Sequence, residues 1–230
     1  MIDPGFRTVR GFIDRADAGK CLAQAFQGYR GRKDVTVLGL PRGGVPVASE
    51  IARVLDLPLD VLVVRKLGVP GQEELAMGAI ASGGVIVSNP EVRSWLKLPD
   101  AVIKEVVARE KSELWRRECL YRGDRTPLNL TGRTVIVVDD GAATGASMQA
   151  AVRALRNMQV ARILVAVPVA SRESYVTLQK EADEVLSLLT PEPFGSVGHW
   201  YDTFDQTTDE QVQSLLRAAR SNDGYAAQQV

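Results

Sequence analysis

A single histidine, two cysteines and no surplus of either charge mark what this 230-residue sequence has little of. One histidine, His199, with Cys21 and Cys119 far apart, leaves no ligand spacing for a zinc centre of the Cys/His kind. The two cysteines read as free thiols of a reducing cytoplasm. Twenty-eight Lys+Arg balance 28 Asp+Glu, so no overall positive field steers the chain onto a polyphosphate backbone, and nucleic acid is not an expected partner. No apolar run approaches the roughly 20 residues needed to cross a bilayer. The stretch 160–170 is already broken by Arg162, and no charged-then-apolar leader opens the chain. The expectation is a soluble, cytoplasmic protein with no membrane partner.

What is present is a repeated alternation of strand and helix patterns. Apolar runs at 35–40, 59–64, 135–138, 163–169 and 184–189 are bounded by glycine or proline, and most are followed by helical spacing. Because Val-Ile-Val-Val and Leu-Val-Ala-Val lack polar alternation, the runs predict strands buried on both faces, hence a parallel sheet flanked by helices. Helices are predicted at 45–55, 100–122, 146–157 and 172–180. Two more, at 14–27 with Asp14 as N-cap and at 208–219, adjoin no strand run. The apolar runs 77–81 and 85–87 around Gly83-Gly84 predict a hairpin projecting after the second strand. The helix at 100–122 presents Val102, Val106, Val107, Leu114 and Tyr121 to a core; Arg116-Arg117 on its charged side read as a solvated face in preference to a phosphate contact. The polar, Ala/Gln-rich residues 221–230 read as a flexible tail of one domain spanning 1–220.

The informative segment is Val-Ile-Val-Val-Asp139-Asp140 followed by Gly141, Ala142, Ala143, Thr144, Gly145, Ala146 and Ser147. Asp139 and Asp140 fall at the carboxyl end of a buried strand, where open α/β sheets place their ligands. Adjacent carboxylates there repel one another and resist burial unless a diol or a metal ion answers them. The small and hydroxylic residues after the pair lead into a helix, so backbone amides converge on an anion at its amino terminus, with Thr144 and Ser147 adding hydroxyls. Carboxylates for sugar hydroxyls beside amides for a phosphate describe a ribose phosphate site.

On these residues the chain resembles the type I phosphoribosyltransferases, whose signature is four apolar residues, two acidic ones and a small-residue loop ending Thr-Gly-x-Ser/Thr. The Ala-Thr-Gly ending is similar to adenine and uracil members. The resemblance implies that Asp139 and Asp140 hold the ribose hydroxyls of phosphoribosyl pyrophosphate while Ala143 to Ser147 wrap its 5-phosphate. It also implies magnesium, bound mainly by the diphosphate and ribose and only indirectly by Asp139 and Asp140. Where 6-oxopurine enzymes carry an aspartate before that Thr-Gly, this chain has Ala143, which disfavours hypoxanthine and guanine.

Two further strand ends carry anion-binding chemistry. After the first run comes Pro41-Arg42-Gly43-Gly44, either an ordinary strand-to-helix turn or a loop whose glycines admit an anion and whose arginine offers a forked donor. It is similar to the family's pyrophosphate loop. After the second run, Arg65-Lys66-Leu-Gly-Val-Pro-Gly resembles the corresponding region of adenine enzymes, shortened by about one residue. That likeness places Arg65, a catalytic candidate, and Lys66 beside the diphosphate. The glutamate that such flaps supply has no counterpart; its position falls near Ala81, with Glu73 and Glu74 the nearest acids.

Beyond the last run, Phe194, Val197, Trp200, Tyr201 and Phe204 cluster around glycines. They read equally as a stacking surface for a planar base or as a mini-core. By resemblance, residues 1–30 and 191–220 form a hood over the base, with Val197 and Trp200 its candidates, around a core at about 34–190. His199 lacks a visible partner and reads as structural. The expected fold is therefore an α/β type I phosphoribosyltransferase fold: a five-stranded parallel sheet, a flap hairpin and a small hood, with a homodimer implied by the resemblance. The expected activity is phosphoribosyl transfer to a nitrogenous base with release of pyrophosphate. The alternative is a non-catalytic regulator binding phosphoribosyl pyrophosphate or a nucleotide.

Overall fold

The computed structural model describes residues 11–88, 99–123 and 129–226, without side chains at 73, 74 and 220–226. Five parallel strands form its centre: β1 (Val35–Gly39), β2 (Leu59–Val61), β6 (Thr134–Val138), β7 (Arg162–Val169) and β8 (Glu184–Leu189), in the spatial order β2-β1-β6-β7-β8. The register pairs Gly39 with Val61 on one side and Val138 on the other. Strand alternation sends successive side chains to opposite faces. Val35, Val37, Ile136, Val138, Leu164 and Ala166 meet one helical layer, formed by α1 (Arg15–Ala25), α2 (Gly44–Leu55), α3 (Asp100–Arg122) and α6 (Asp209–Ala226). Leu38, Val135, Val137, Ile163 and Val165 meet the other, formed by α4 (Ala146–Asn157) and α5 (Arg172–Glu181). Burial on both faces explains the uninterrupted apolar runs.

The predicted helices at 100–122 and 146–157 stand at those bounds, and Asp14 caps α1 by accepting from the Asp17 amide at 2.8 Å. At the other end, α6 runs on to Ala226, past the predicted stop at 219; residues 227–230, the end of the expected tail, lie outside the described residues.

The expectation for the second run requires correction. β2 pairs with β1 through three residues only, and the chain then leaves the sheet, because Val63 exchanges hydrogen bonds with Ser82 in both directions at 2.9 Å. The chain continues into a separate antiparallel sheet of β3 (Val64–Val69), β4 (Gln72–Ala81) and β5 (Val85–Ser88). The expected hairpin is there, turning through Gly83 and Gly84 in the left-handed region, but it has a third strand. Arg65 and Lys66 therefore lie inside β3, opposite Ile80 and Ala79, and do not close a core strand.

This small sheet is wedged between α3 and α4. The base of α3 is anchored by a buried ion pair: Arg122 Nε donates to both carboxylate oxygens of Asp60 at 3.0 and 3.1 Å, and its other nitrogens reach Glu118 and the Val61 carbonyl. Removing one partner of such a pair strands the other charge away from water. Arg122→Ala is expected to lower the unfolding free energy in urea by about 3–5 kcal/mol, and adding Asp60→Ala to recover part of the loss.

Candidate active site

The strand order reverses direction between β1 and β6, the place where open sheets leave a crevice at their carboxyl edge. The segments after these two strands are the Pro41–Gly44 loop and the Asp139–Asp140 pair, and they touch. The Leu40 amide donates to the Val138 carbonyl at 2.9 Å. A side chain at Gly43 would overlap the Asp140 carboxylate, and one at Gly44 would lie 2.5 Å from the Val138 carbonyl oxygen. Only glycine permits this approach, so the loop's glycines serve contact with the acidic pair as well as any access for an anion.

Asp139 turns back so that its Oδ1 accepts the Asp140 amide at 2.9 Å. Burial, reinforced by the charge of Asp140, raises its pKa well above the ordinary aspartate value. Asp140 has a cation of its own. Arg15, at the start of α1, approaches one oxygen with Nε and Nη2, both at 2.8 Å, while Nη1 donates to the Asp205 carbonyl at 2.7 Å. Its guanidinium lies 3.9 Å from the centre of the Phe204 ring. Tyr201 completes the support by donating its hydroxyl to the Asp140 carbonyl at 2.6 Å, and burial pushes its phenol pKa up. Neither role is visible in a sequence read locally: Arg15 and Asp140 are 125 residues apart, and Arg15 is one arginine among many.

Beyond the pair, the loop is pinned to the end of β7. The Ala142 amide donates to the Val169 carbonyl, the Ser171 amide to the Ala142 carbonyl, both at 2.9 Å, and the Ser171 hydroxyl to the Ala143 carbonyl at 2.7 Å. Gly145 takes a left-handed conformation and no side chain caps α4, apart from a long 3.4 Å bond from the Ala146 amide to Thr144 Oγ1. The amides of Ser147 and Met148 thus open the helix with no intrahelical acceptor, as an anion site requires. Under Gly145 lies the hydroxyl of Ser174, buried and without a hydrogen-bond partner among the described residues.

The flap divides its two cations between its two faces. Arg65 turns to α3, where Glu110 takes its Nε and Nη2 at 3.0 and 2.7 Å. Lys66 turns the other way and lines a cavity of about 280 Å³ with Ser147, Gln149 and Arg153 of α4. The expectation that both stand side by side at the end of a core strand is thus corrected. In the hood, Val197 packs on Gly141, Trp200 donates its indole N–H to the Phe194 carbonyl at 2.9 Å, and Tyr201 is buried with Phe12 and Val169. The aromatics favour the mini-core of the two readings, and His199 is exposed. Among the described residues no three His, Cys, Asp or Glu side chains converge on a metal position, and no helix is long and apolar enough to cross a membrane.

Comparison with known proteins agrees with this geometry. The model of the phosphoribosyl transferase domain matches residues 14–201. The chain belongs to the phosphoribosyl transferase family. Two curated Mycobacterium tuberculosis proteins, from strains CDC 1551 and H37Rv and both provisionally named phosphoribosyl transferases, are 47% identical over 208 residues, 90% of this chain. The match is 47% of their own length, so the chain spans about half of these family members. The crystal structure of TT1426 from Thermus thermophilus is 43% identical, covers 90% of this chain and 97% of its own, and superposes with a TM-score of 0.81.

The raised pKa of Asp139 sets a pH dependence. Its penalty on the folded state is absent below the ordinary aspartate pKa of about 3.9 and complete once pH exceeds the raised value. Asp139→Asn, which keeps an acceptor for the Asp140 amide, is expected to melt at a higher temperature than wild type at about pH 8, with the difference vanishing near about pH 3.

Proposed function

We propose that the protein transfers the 5-phosphoribosyl group of phosphoribosyl pyrophosphate to a nitrogen of a small nitrogenous base and releases pyrophosphate. The observation that carries this reading is the convergence, at one switch point, of the Asp139–Asp140 pair, the Gly43-Gly44 loop and the uncapped start of α4. Asp140 retains Oδ1 outside the Arg15 contact, and with Asp139 it accepts the vicinal ribose hydroxyls. The amides of α4, with Thr144 and Ser147, hold the 5-phosphate, and Lys66 on the facing flap adds a cation at that end. The Arg42-Gly43 part of the loop faces the diphosphate, the Gly44 amide being held by the Leu40 carbonyl at 3.0 Å.

Displacement of pyrophosphate builds positive charge on the ribose and negative charge on the leaving group. The carboxylates answer the first and the loop the second, so positioning and electrostatics suffice without a covalent nucleophile. Magnesium, when bound, supplies further neutralisation of the leaving group. With two protein carboxylates within reach, it would draw most of its ligands from the diphosphate, the ribose and water. Ala143, in place of an aspartate, supports a base other than a 6-oxopurine. The same absence, together with the engagement of Arg65 by Glu110, favours as second reading a binder of phosphoribosyl pyrophosphate that regulates without turnover.

A thermal-shift panel with magnesium checks the site: phosphoribosyl pyrophosphate is expected to stabilise wild type, and Asp139→Asn with Asp140→Asn to abolish the shift. An unchanged shift would refute the assignment. Pyrophosphate release across a panel of bases then separates the two readings, since binding without turnover on any base selects the regulator.

A further inference from the structure

Three arginines from two separate places in the sequence meet beside the Pro41–Gly44 loop. Arg42 from that loop, Arg116 and Arg117 from the last turns of α3, and Tyr121 and Asp209 line a cavity of about 340 Å³. Glu113 stands one turn before the two helix arginines and takes Nε and Nη2 of Arg116 at 2.7 and 2.9 Å and Nε of Arg117 at 2.8 Å. These bonds hold the guanidinium planes and leave Arg116 Nη1 and both Arg117 Nη atoms outside them. The Arg42 side chain makes no hydrogen bond among the described residues; Asp209 is 4.0 Å from its Nη1 and is itself held by the Tyr121 hydroxyl at 2.7 Å. Three guanidinium groups thus share this corner with Glu113, Asp209 and, within Coulombic reach of Arg42, Glu210, and several of their forked donors are unspent.

Arg65, by contrast, is committed. Its partner Glu110 is 7% exposed, so withdrawing Arg65 toward a ligand would leave that buried carboxylate to Arg109 alone. The same helix that holds Arg65 away therefore presents Arg116 and Arg117 beside the glycine loop about two turns later.

We propose that Arg42, Arg116 and Arg117 form a diphosphate-binding site on the α3 side of the loop, taking the role that the family resemblance gives to Arg65. The cavity exceeds the needs of one phosphate, and its donors come from three guanidinium groups, as a doubly or triply charged diphosphate requires. In the proposed reaction it receives the pyrophosphate end of the donor; that part rests on the function proposed above.

Titration calorimetry with inorganic pyrophosphate, ribose 5-phosphate and phosphoribosyl pyrophosphate tests it. Arg116→Gln with Arg117→Gln leaves a shorter, uncharged amide at each position and is expected to weaken pyrophosphate and phosphoribosyl pyrophosphate by about 10-fold or more through loss of charge-assisted donors, with ribose 5-phosphate within about twofold. The Lys/Lys variant, which keeps charge and loses the fork, should fall between, and thermal melts check that both variants fold. Pyrophosphate bound equally by variant and wild type, or by neither, overturns the site, as does a parallel loss of ribose 5-phosphate. A wild type that binds pyrophosphate but not phosphoribosyl pyrophosphate retires the proposed reaction and leaves the site standing.

Discussion

Two adjacent carboxylates at the end of a buried strand are the constraint on which much of this architecture depends. Asp139 and Asp140 cannot both be charged and dehydrated without compensation. The fold answers by bringing Arg15 across from α1, by turning Asp139 onto the next amide, and by bracing the pair's backbone with Tyr201. Each answer recruits a distant part of the chain. Arg15 is held in turn by the Asp205 carbonyl and the Phe204 ring, so the packing of the hood and the electrostatics of the site are one problem.

The division of the flap rests on an equally simple rule. Neighbouring residues on a strand point to opposite faces, so Arg65 and Lys66 cannot serve one ligand from the same side of β3. With α3 on one face and α4 on the other, Arg65 meets Glu110 and Lys66 meets the helix that begins at the glycine-spaced loop. Adjacent cations in a sequence suggest a clamp; in a strand they are a fork pointing two ways.

What the sequence made legible was local. The strand-loop-helix passage through Asp139 to Ser147, the limits of α3 and α4, and the hairpin at Gly83-Gly84 are all set by apolar runs and turn residues that act within a few positions. The three-residue β2 was not legible, because Leu59 to Val64 is largely apolar and only the bonds between Val63 and Ser82 show where the sheet ends. Nor was Arg15, since nothing near Asp14 distinguishes a hood cation from a surface one. The aromatic cluster stood between two readings because stacking and packing call on the same residues; the bonds of Trp200 and Tyr201 favour packing. Residues 1–10, part of the expected hood, lie outside the described residues.

The hood is closed by backbone pairing between distant segments: Phe12 bridges to Tyr201, its amide donates to the Trp200 carbonyl at 2.8 Å, and Thr203 reaches back to Ile13. During synthesis, the sheet strand bearing Asp139 and Asp140 leaves the ribosome well before Tyr201 and Asp205 exist to fix Arg15 over it. For that interval the nascent chain carries its two carboxylates without their neutralising lid. Completion of the site is thereby tied to the translation of residues 201–205, and a chain stalled before them would hold the loops without the charge balance that makes them a site.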